Sequence, residues 1–366
     1  MKKRLTMRVE RTIDALGPEW DDLFGAGAGL QSSRPWFEAT ATAAIPDGAE
    51  PRYLAVSDQA GPLALIPMLV GPEKAWGSLT TPYTCLYQPL LRLGSSTSTE
   101  PIADIGRYCR QWPITRFEAL DPNWPGLALL RRSLAAAGLV SRTFAHFGNW
   151  HEPITANCWD AYLAARPGAL RETIRRKTRA AERAGTRIEL HSVPSALPAA
   201  LDAYEAVYRR SWKSPEPYPA FNGALIRALA DTGTLRIGVM SSGDIPIAAQ
   251  YWSVVDGTAT VLKLAHDENY KPLSPGTVLT AATIRRLIET DGVNELDFGR
   301  GDDGYKQGWA GQRRPRIGLL AMNVQTIAGL GELIGHDAGT LRRNGLKVYA
   351  ATRNLFERRG HSETSC

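Results

Sequence analysis

The sequence predicts an α+β protein in which helices flank a mixed, mostly antiparallel sheet. Three observations predict this class. A β-hairpin is indicated at 52–70, where two apolar runs flank a polar turn. Two helical segments then lead into an antiparallel meander over 235–265. A loop, a helix and a further strand follow the meander, and this grouping of elements is typical of α+β proteins rather than of strictly alternating α/β folds.

The length and composition indicate two globular domains. The chain has 366 residues, of which 43% are hydrophobic and 22% are charged. These values argue against wholesale disorder and against a membrane bundle. We expect domains at 1–150 and 151–325 and a basic helical tail at 326–366. The formal net charge of +6 permits an anionic partner such as a nucleotide, tRNA or a phospholipid surface.

Cysteine usage and hydropathy indicate a cytoplasmic protein without a structural metal. Cys85, Cys109, Cys158 and Cys366 form no CxxC pair and have no histidine at ligand spacing, so neither a zinc site nor a disulfide framework is predicted. A reducing compartment is the simpler interpretation. The basic N-terminus is not followed by an apolar segment, and no run of about 18 apolar residues occurs.

The first domain is predicted from a few clear signals. The expected elements are a short amphipathic helix at 20–24, hairpin strands at 52–57 and 63–70, and a helix at 127–138 that ends at a glycine. Pro67 lies inside the second hairpin strand. Because proline has no N–H for the ladder, we expect it at a sheet edge or a bulge.

The second domain has a denser set of signals. Helices are expected at 170–184, closed by Gly185, and at 197–212. The meander comprises strands at 235–240, 247–255 and 258–265, with Asp256-Gly257 as a strong hairpin signal. Side-chain alternation puts Gln250 and Trp252 on one face of the middle strand and Tyr251 on the other. A helix at 277–290 and strands at 295–298 and near 316–323 follow, and one or two basic helices are expected at 341–359.

The helix at 170–184 carries most of the excess positive charge. The window 166–187 holds eight basic and two acidic residues. A solvated helix face and a phosphate-binding face both fit this pattern. Arg175, Arg176 and Arg179 are the candidates for contact with an anionic substrate or an RNA backbone.

The loop at 271–277 opens a helix directly after a strand. A helix N-terminus presents unsatisfied N–H groups and is suited to an anion. The candidate residues are Lys271, Ser274, Gly276 and Thr277. An ordinary capped helix start is the alternative.

The glycine-rich stretch at 296–309 is the most informative part of the chain. Its glycines indicate a tight path at the end of a strand, and such loops commonly carry reactive groups. Asp297 lies on an otherwise apolar strand and needs a partner if it is buried. The stretch also supplies Tyr305, Lys306 and Trp309, while Tyr251 and His266 on the meander are further candidates for substrate contact.

These motifs together resemble a known family. Ser274-Pro275-Gly276, Leu296-Asp297-Phe298 and the Tyr305-Lys306-x-x-Trp309 segment resemble the second domain of GNAT-type acyltransferases of the Fem-like class. That class includes the BioF-like and the CelD-like (cellulose biosynthesis) acetyltransferases. The arginine-rich helix looks like the basic helix that opens the second domain in this class. The motif similarity covers about 160–320.

The resemblance implies two tandem GNAT-like domains and a set of site roles. It implies that the pyrophosphate of an acyl-CoA such as acetyl-CoA lies at Ser274, Gly276 and Thr277, and that Lys306 acts on the transition state. From the chemistry of the transfer itself, we expect Asp297 to accept the amine proton or to hold Lys306 as an ion pair, and Tyr305 to protonate the leaving group. With no Ser-His-Asp or Cys-His set in view, direct attack is preferred over a covalent intermediate.

Three functions remain open from the sequence. The first is an acyl-CoA-dependent N-acyltransferase acting on an amine, for example an amino sugar of cell-envelope or exopolysaccharide material. The second is a Fem-like transferase that takes aminoacyl-tRNA as donor. The third is a non-catalytic GNAT fold that binds a partner. The basic tail can contact an anionic membrane, but packing against the second domain is favoured.

Overall fold

The computed structural model describes residues 5–24, 29–71, 76–92, 100–192 and 197–339. The strands in these ranges are β1 Thr6–Glu10, β2 Glu50–Asp58, β3 Gly61–Val70, β4 Trp76–Ser78, β5 Leu90–Leu91, β6 Ile114–Leu120, β7 Val140–Pro153, β8 Thr186–His191, β9 Leu235–Ser242, β10 Ile245–Val255, β11 Thr258–His266, β12 Glu295–Arg300 and β13 Gln312–Met322. The α-helices are α1 Arg34–Ala43, α2 Glu100–Cys109, α3 Gly126–Ala136, α4 Trp159–Ala164, α5 Gly168–Arg183, α6 Leu197–Arg209, α7 Pro219–Asp231, α8 Pro275–Glu289 and α9 Lys306–Trp309, and residues 327–339 are also helical.

The described strands form one mixed sheet, which confirms the predicted α+β class. Its order is β1-β2-β3-β4-β6-β13-β7-β12-β11-β10-β9-β8, with β5 pairing with β3. The order is nearly symmetric about the central β13–β7 pair. Each half contains one parallel pair, β4 with β6 and β11 with β12. The last strand of each half, β7 and β13, pairs with the other half, so the two halves share one continuous sheet.

The sequence pattern does not predict β7, although it is 14 residues long and central. Polar residues such as His146 and Asn149 interrupt its apolar alternation. Its register against β13 also shifts beside Phe147. Because β7 runs through residue 150, the expected boundary between 1–150 and 151–325 falls inside a strand. The division into domains at that residue stays a prediction.

The meander is as predicted and positions the side chains on its two faces. Asp256 and Gly257, both with positive φ, form the tight turn between β10 and β11. On one face of β10 the Tyr251 hydroxyl donates to Asn222 Oδ1 of α7 at 2.6 Å. On the other face Gln250 Nε2 donates to the Leu279 carbonyl of α8 at 3.0 Å. The predicted alternation is therefore confirmed.

Pro67 lies in an interior strand, so the expectation of an edge or a bulge is wrong. The Pro67 carbonyl accepts the Leu79 N–H at 3.0 Å and the Tyr87 hydroxyl at 2.7 Å. The nitrogen of a strand residue points to the same side as its carbonyl. At that edge of β3, residues 68–70 pair with β4 and residues 64–65 pair with β5. Neither strand pairs with β3 at Pro67 itself. The ladder therefore needs no N–H donor at this position.

Three further predictions are corrected or concern residues outside the described ranges. The helix expected to reach residue 212 ends at Arg209, because Trp212 belongs to the following loop, where it is 53% exposed. The short helix near residue 20 is a 3-10 helix, Pro18–Leu23. The basic helices expected at 341–359 lie outside the described residues. Within the described ranges, no helix is both long and apolar enough to cross a bilayer.

Candidate active site

A large cavity opens where β11 and β12 separate. The two strands pair in parallel only from Thr258–Glu295 to Thr260–Asp297, although β11 continues to His266. A bulge in β11 opposite Tyr251 and Trp252 adds to the irregularity. The cavity measures about 950 Å³. Residues of β11, the start of α8, the glycine turn after β12 and α9 all line it.

The start of α8 contributes fewer donors to the cavity than the motif suggests. Gly276 and Thr277 line the cavity. Pro275 has no N–H, and the Thr277 N–H donates to the Ser274 carbonyl at 3.0 Å. Ser274 has a left-handed backbone and does not line the cavity. This leaves the Gly276 N–H as the donor of the first turn, since a helix N-terminus has only a few free N–H groups.

Gly276 and His266 lie against each other at this end of the cavity. A Cβ at Gly276 would lie 3.3 Å from His266 Nδ1, so a larger residue would press on the imidazole. His266 Nε2 lies 3.2 Å from Glu268 Oε1. Burial lowers the pKa of His266, although Glu268 opposes the shift. Lys271 lies outside the cavity lining and forms an exposed ion pair with Glu268 at 3.5 Å.

Lys306 lies under the glycine turn, with its ammonium fully coordinated. Its side chain begins α9 and is buried, with the residue 3% exposed. Nζ donates to the Arg300 carbonyl at 2.6 Å and to the Gly301 carbonyl at 3.3 Å. It also forms an ion pair with Asp303 Oδ2 at 3.0 Å. Asp303 is the exposed partner, with 62% of its side chain accessible.

Asp297 does not pair with Lys306, which corrects one of its two expected roles. Its Oδ2 accepts from Arg314 at 2.6 Å, and its Oδ1 accepts from Asn149 Nδ2 and from the Gly299 N–H, both at 2.7 Å. Asn149 also donates to the Gly299 carbonyl at 3.0 Å. Asp297 is buried and does not line the cavity. The predicted need for a partner is met, and the contacts hold the backbone of the glycine turn.

The aromatic candidates meet at the same cavity. Tyr305, Trp309 and Tyr251 all line it. Tyr305 is 51% exposed. Desolvation at the cavity wall and the charge of Asp303 raise the pKa of Tyr305 to about 12, so its hydroxyl is a donor at neutral pH. Trp309 is buried, and its carbonyl accepts from the Tyr162 hydroxyl at 2.7 Å.

The arginine candidates do not line the cavity. Arg175, Arg176 and Arg179 are exposed on α5. The buried face of that helix, with Ile174 and Ala181, packs inward, so these arginines face solvent. Arg175 is bound by Glu172 through two hydrogen bonds of 2.7 and 2.9 Å. A role in the cavity is therefore not supported, whereas surface contact with an anion stays a prediction.

Several lining residues are absent from the predicted site. The lining also includes Tyr83 and Cys85 from the first half of the chain, and Lys213 from the loop between α6 and α7. No local motif marks these residues, because distant segments bring them together. Lys263 could have been identified from the sequence, because it is a lysine within an otherwise apolar strand. Its Nζ lies 2.6 Å from Glu216 Oε1 and 4.9 Å from the Tyr83 ring centroid.

No cluster of three or more potential metal ligands is found among the described residues. The cavity lining includes lysines, the Asp303 and His266 side chains, backbone donors and aromatic side chains. Such a set can bind an anion, orient an amine and stabilise a developing oxyanion.

Comparison with known proteins supports the fold. Residues 168–307 match the acetyltransferase (GNAT) domain, which covers less than half of the chain. The crystal structure of FemX is similar over 86% of this chain and 98% of its own, with a TM-score of 0.57 and 12% identity. The C-terminal domain of a putative lysylphosphatidylglycerol synthetase from Agrobacterium fabrum is similar over 86% of this chain and 94% of its own, with a TM-score of 0.56 and 14% identity.

A conserved protein of unknown function from Bacteroides thetaiotaomicron VPI-5482 gives a TM-score of 0.54 at 10% identity, covering 87% of this chain and all of its own. No curated protein sequence matches. At these identities the likeness shows the fold alone. The chain therefore has a GNAT-type fold, with an acetyltransferase (GNAT) domain match at 168–307.

Proposed function

We propose that the protein is an acyl-CoA-dependent N-acyltransferase that transfers an acyl group to an amine by direct attack. The observation that carries the proposal is that the start of α8 and the turn around Lys306 line one cavity. Transfer requires a donor site and an oxyanion-stabilising group within the same space. The amino sugars of cell-envelope or exopolysaccharide material are one acceptor class that fits.

In this proposal the donor lies along the open edge of β11. Its pyrophosphate is bound at Gly276 and Thr277, where the helix start favours negative charge. Among the described residues, none pairs with β11 beyond Thr260 on the β12 side. Its backbone groups can therefore hydrogen-bond amide groups of the pantetheine arm. Acetyl-CoA is the simplest donor of this kind.

Lys306 and its neighbours supply the chemistry in the proposal. The amine attacks the thioester carbonyl, the C–N bond forms, and the oxyanion takes the Lys306 N–H that Asp303 otherwise accepts. Asp303 receives the proton of the amine, a role we assign to it because both oxygens of Asp297 are already bonded. The C–S bond then breaks, and Tyr305, which stays protonated at neutral pH, donates a proton to the departing thiolate.

Removal of the Lys306 ammonium tests the proposal. In the Lys306→Met variant we expect transfer from acetyl-CoA to fall roughly 100- to 1,000-fold, as it does when one oxyanion donor is removed. Steady-state transfer to a panel of amines, glucosamine included, measures the rate. Lys271→Met is the matched control, because Lys271 is exposed and outside the cavity.

A second variant keeps the test decisive if Lys306→Met fails to fold. Asp303→Asn changes an exposed side chain, and we expect it to bind acetyl-CoA normally but to transfer about 100-fold more slowly. Binding is measured by the rise in melting temperature with acetyl-CoA. Equal rates for Lys306→Met and Lys271→Met, in folded protein, would reject the assigned role of Lys306.

A second candidate, an aminoacyl-tRNA-dependent transferase, is favoured by one observation. Arg176 and Arg179 are exposed on α5, and among the described residues no carboxylate lies within ion-pair distance of either. An RNA backbone binds such residues with a strong dependence on salt. If wild-type protein binds tRNA with a steep salt slope that the Arg176→Ala/Arg179→Ala variant reduces, and does not bind acetyl-CoA, this donor replaces the first. Binding of neither donor would favour a non-catalytic function.

A further inference from the structure

Among the described residues, three lysines line the cavity, and two of them have carboxylate partners. Lys263 is paired with Glu216 at 2.6 Å, and Lys306 is paired with Asp303 at 3.0 Å. Lys213, in the loop between α6 and α7, lines the same cavity. Over the described parts of the chain, no acceptor lies within hydrogen-bonding or ion-pair distance of Lys213 Nζ. Its nearest identified contact is the Trp212 ring, with Nζ 5.7 Å from the centroid.

The electrostatic surroundings of Lys213 leave its charge uncompensated. Burial, and after it the charge of Lys263, lowers the pKa of Lys213 to about 8. Glu216 and Asp303 act in the opposite direction, and Lys306 adds to the lowering. These carboxylates already pair with the other two lysines. An unpaired, partly desolvated ammonium is costly, and an incoming anion would relieve that cost.

We propose that Lys213 binds an anionic group, a carboxylate or a phosphate, carried by the amine acceptor. This inference rests on the proposed acyltransferase function and adds to it the chemical class of the acceptor. The acceptor is then an amine that also bears a negative charge, such as an amino acid or a phosphorylated or carboxylated amino sugar.

The position of Lys213 favours the acceptor over the donor as the source of the anion. The donor phosphates are assigned to the first turn of α8. The charges that act on Lys213 are instead those of the Lys306–Asp303 pair and the Lys263–Glu216 pair, at the reacting end of the cavity. The loop that carries Lys213 also joins the first half of the chain, since the Tyr83 hydroxyl donates to the Tyr218 carbonyl at 3.4 Å. The anionic group would therefore lie between the two halves.

Matched sugars test the proposal by binding, without any transfer. Glucosamine is compared with glucosamine 6-phosphate and with muramic acid, which add a phosphate and a carboxylate respectively. Calorimetry is performed on wild type, Lys213→Met, Lys213→Arg and the control Lys271→Met. We expect wild type to prefer at least one anionic sugar by about tenfold or more, the range of a charge-assisted hydrogen bond. Lys213→Met should lose this preference, and Lys213→Arg should keep it.

A spectroscopic readout separates binding from a merely structural role. The chain has nine lysines, so ¹³C-methylation of their amines gives few resonances, and Lys213→Arg assigns that of Lys213. An anionic sugar should raise the pKa of Lys213, because it stabilises the charged form. Neutral glucosamine should leave it unchanged.

The other outcomes overturn the inference, one part of it, or the proposed function on which it rests. If wild type shows no anionic preference, or if Lys213→Met retains it, Lys213 does not bind the anion. If Lys213→Met weakens acetyl-CoA and leaves the sugars unaffected, the anion belongs to the donor. If acetyl-CoA fails to bind while the Lys213-dependent sugar preference persists, the acyltransferase proposal fails and the anion subsite stands.

Discussion

The two halves of the sheet contain the same parallel strand pair, but only the second is seen to open into the large cavity. In the first half β4 pairs with β6 at Trp76–Thr115 and Gly77–Arg116. The space where β4 and β6 separate, called the first opening below, is occupied by the segment that follows β4. Tyr87 in this segment is 2% exposed, and its N–H donates to the Ala119 carbonyl at 2.9 Å. In the second half no described segment pairs with the corresponding edge of β11.

This difference shows how one topology serves two purposes. The segment that fills the first opening also supplies Tyr83 and Cys85 to the wall of the second. The Tyr83 ring stacks on Phe221 of α7, with ring centroids 4.3 Å apart. The first half therefore acts as a wall of the site, and the second half carries the groups proposed to react. A change in the first opening should affect stability, whereas a change in the second should affect binding.

The largest expected effect comes from emptying the first opening. Tyr87→Ala should lower the free energy of unfolding by about 4 kcal/mol, since a large buried aromatic side chain is lost. Chemical denaturation measures this change. Tyr87→Phe is the control and should cost only about 1 kcal/mol, for the lost hydrogen bond to the Pro67 carbonyl.

The same variants test whether the first opening is separate from the binding site in the second half. Acetyl-CoA affinity, measured at a temperature where Tyr87→Ala is folded, should stay within about twofold of wild type, because Tyr87 does not line the cavity. A loss of donor affinity out of proportion to the loss of stability would mean that the first opening is part of the binding site.

A smaller effect is expected from the charged network beneath the glycine turn. Asp297→Ala removes one of the two carboxylate partners of Arg314 and leaves Asn149 without its carboxylate acceptor, and it should lower the free energy of unfolding by about 3 kcal/mol. Because Asp297 also accepts the Gly299 N–H, the turn above Lys306 should loosen. Hydrogen exchange at residues 299–301 measures the loosening, with Asp302→Ala, at an exposed ion pair with Arg313, as the control. Unchanged exchange would show that Asp297 does not position the turn.

Much of the second half could be predicted from the sequence because its signals are local. The Asp256-Gly257 turn, the alternation along β10 and the helix of α5 before Gly185 each depend on neighbouring residues. The shared cavity of Gly276 and Lys306 could also be predicted, since both residues follow strands of one sheet. The partner of Lys306 could not be predicted, because Asp303 and Asp297 are both near it in sequence and only the backbone path distinguishes them.

The parts that the sequence did not predict depend on contacts between distant segments. β7 lacks a clear apolar pattern because its neighbours, β13 and β12, lie more than 140 residues away and accept polar residues such as Asn149 into a buried network. Lys213 and Tyr83 likewise belong to the site only through packing between the halves. A pattern read over ten or fifteen residues cannot detect such neighbours.

The smallest expected effect concerns the cost of keeping Lys213 unpaired. Because the pKa of Lys213 is lowered to about 8, its ammonium destabilises the folded state at pH values below 8. Lys213→Met should therefore raise the free energy of unfolding at pH 7 by about 1 kcal/mol, after allowance for its partial exposure. The gain should shrink as the pH rises from 8 towards 10.5, because in this range the folded protein has released the proton and the unfolded chain still holds it. Denaturation of both proteins between pH 6 and 10 measures it.

This last prediction sharpens the contrast between the halves, because a filled opening should lose stability on truncation while a binding site should gain it. Lys271→Met, whose ammonium is exposed and paired with Glu268, should show no such gain. If Lys213→Met instead loses stability at pH 7, the ammonium has a favourable contact in the folded protein, and the need for an external anion disappears. If it gains stability and also loses the anionic preference, one residue explains both the cost in the free protein and the affinity for the acceptor.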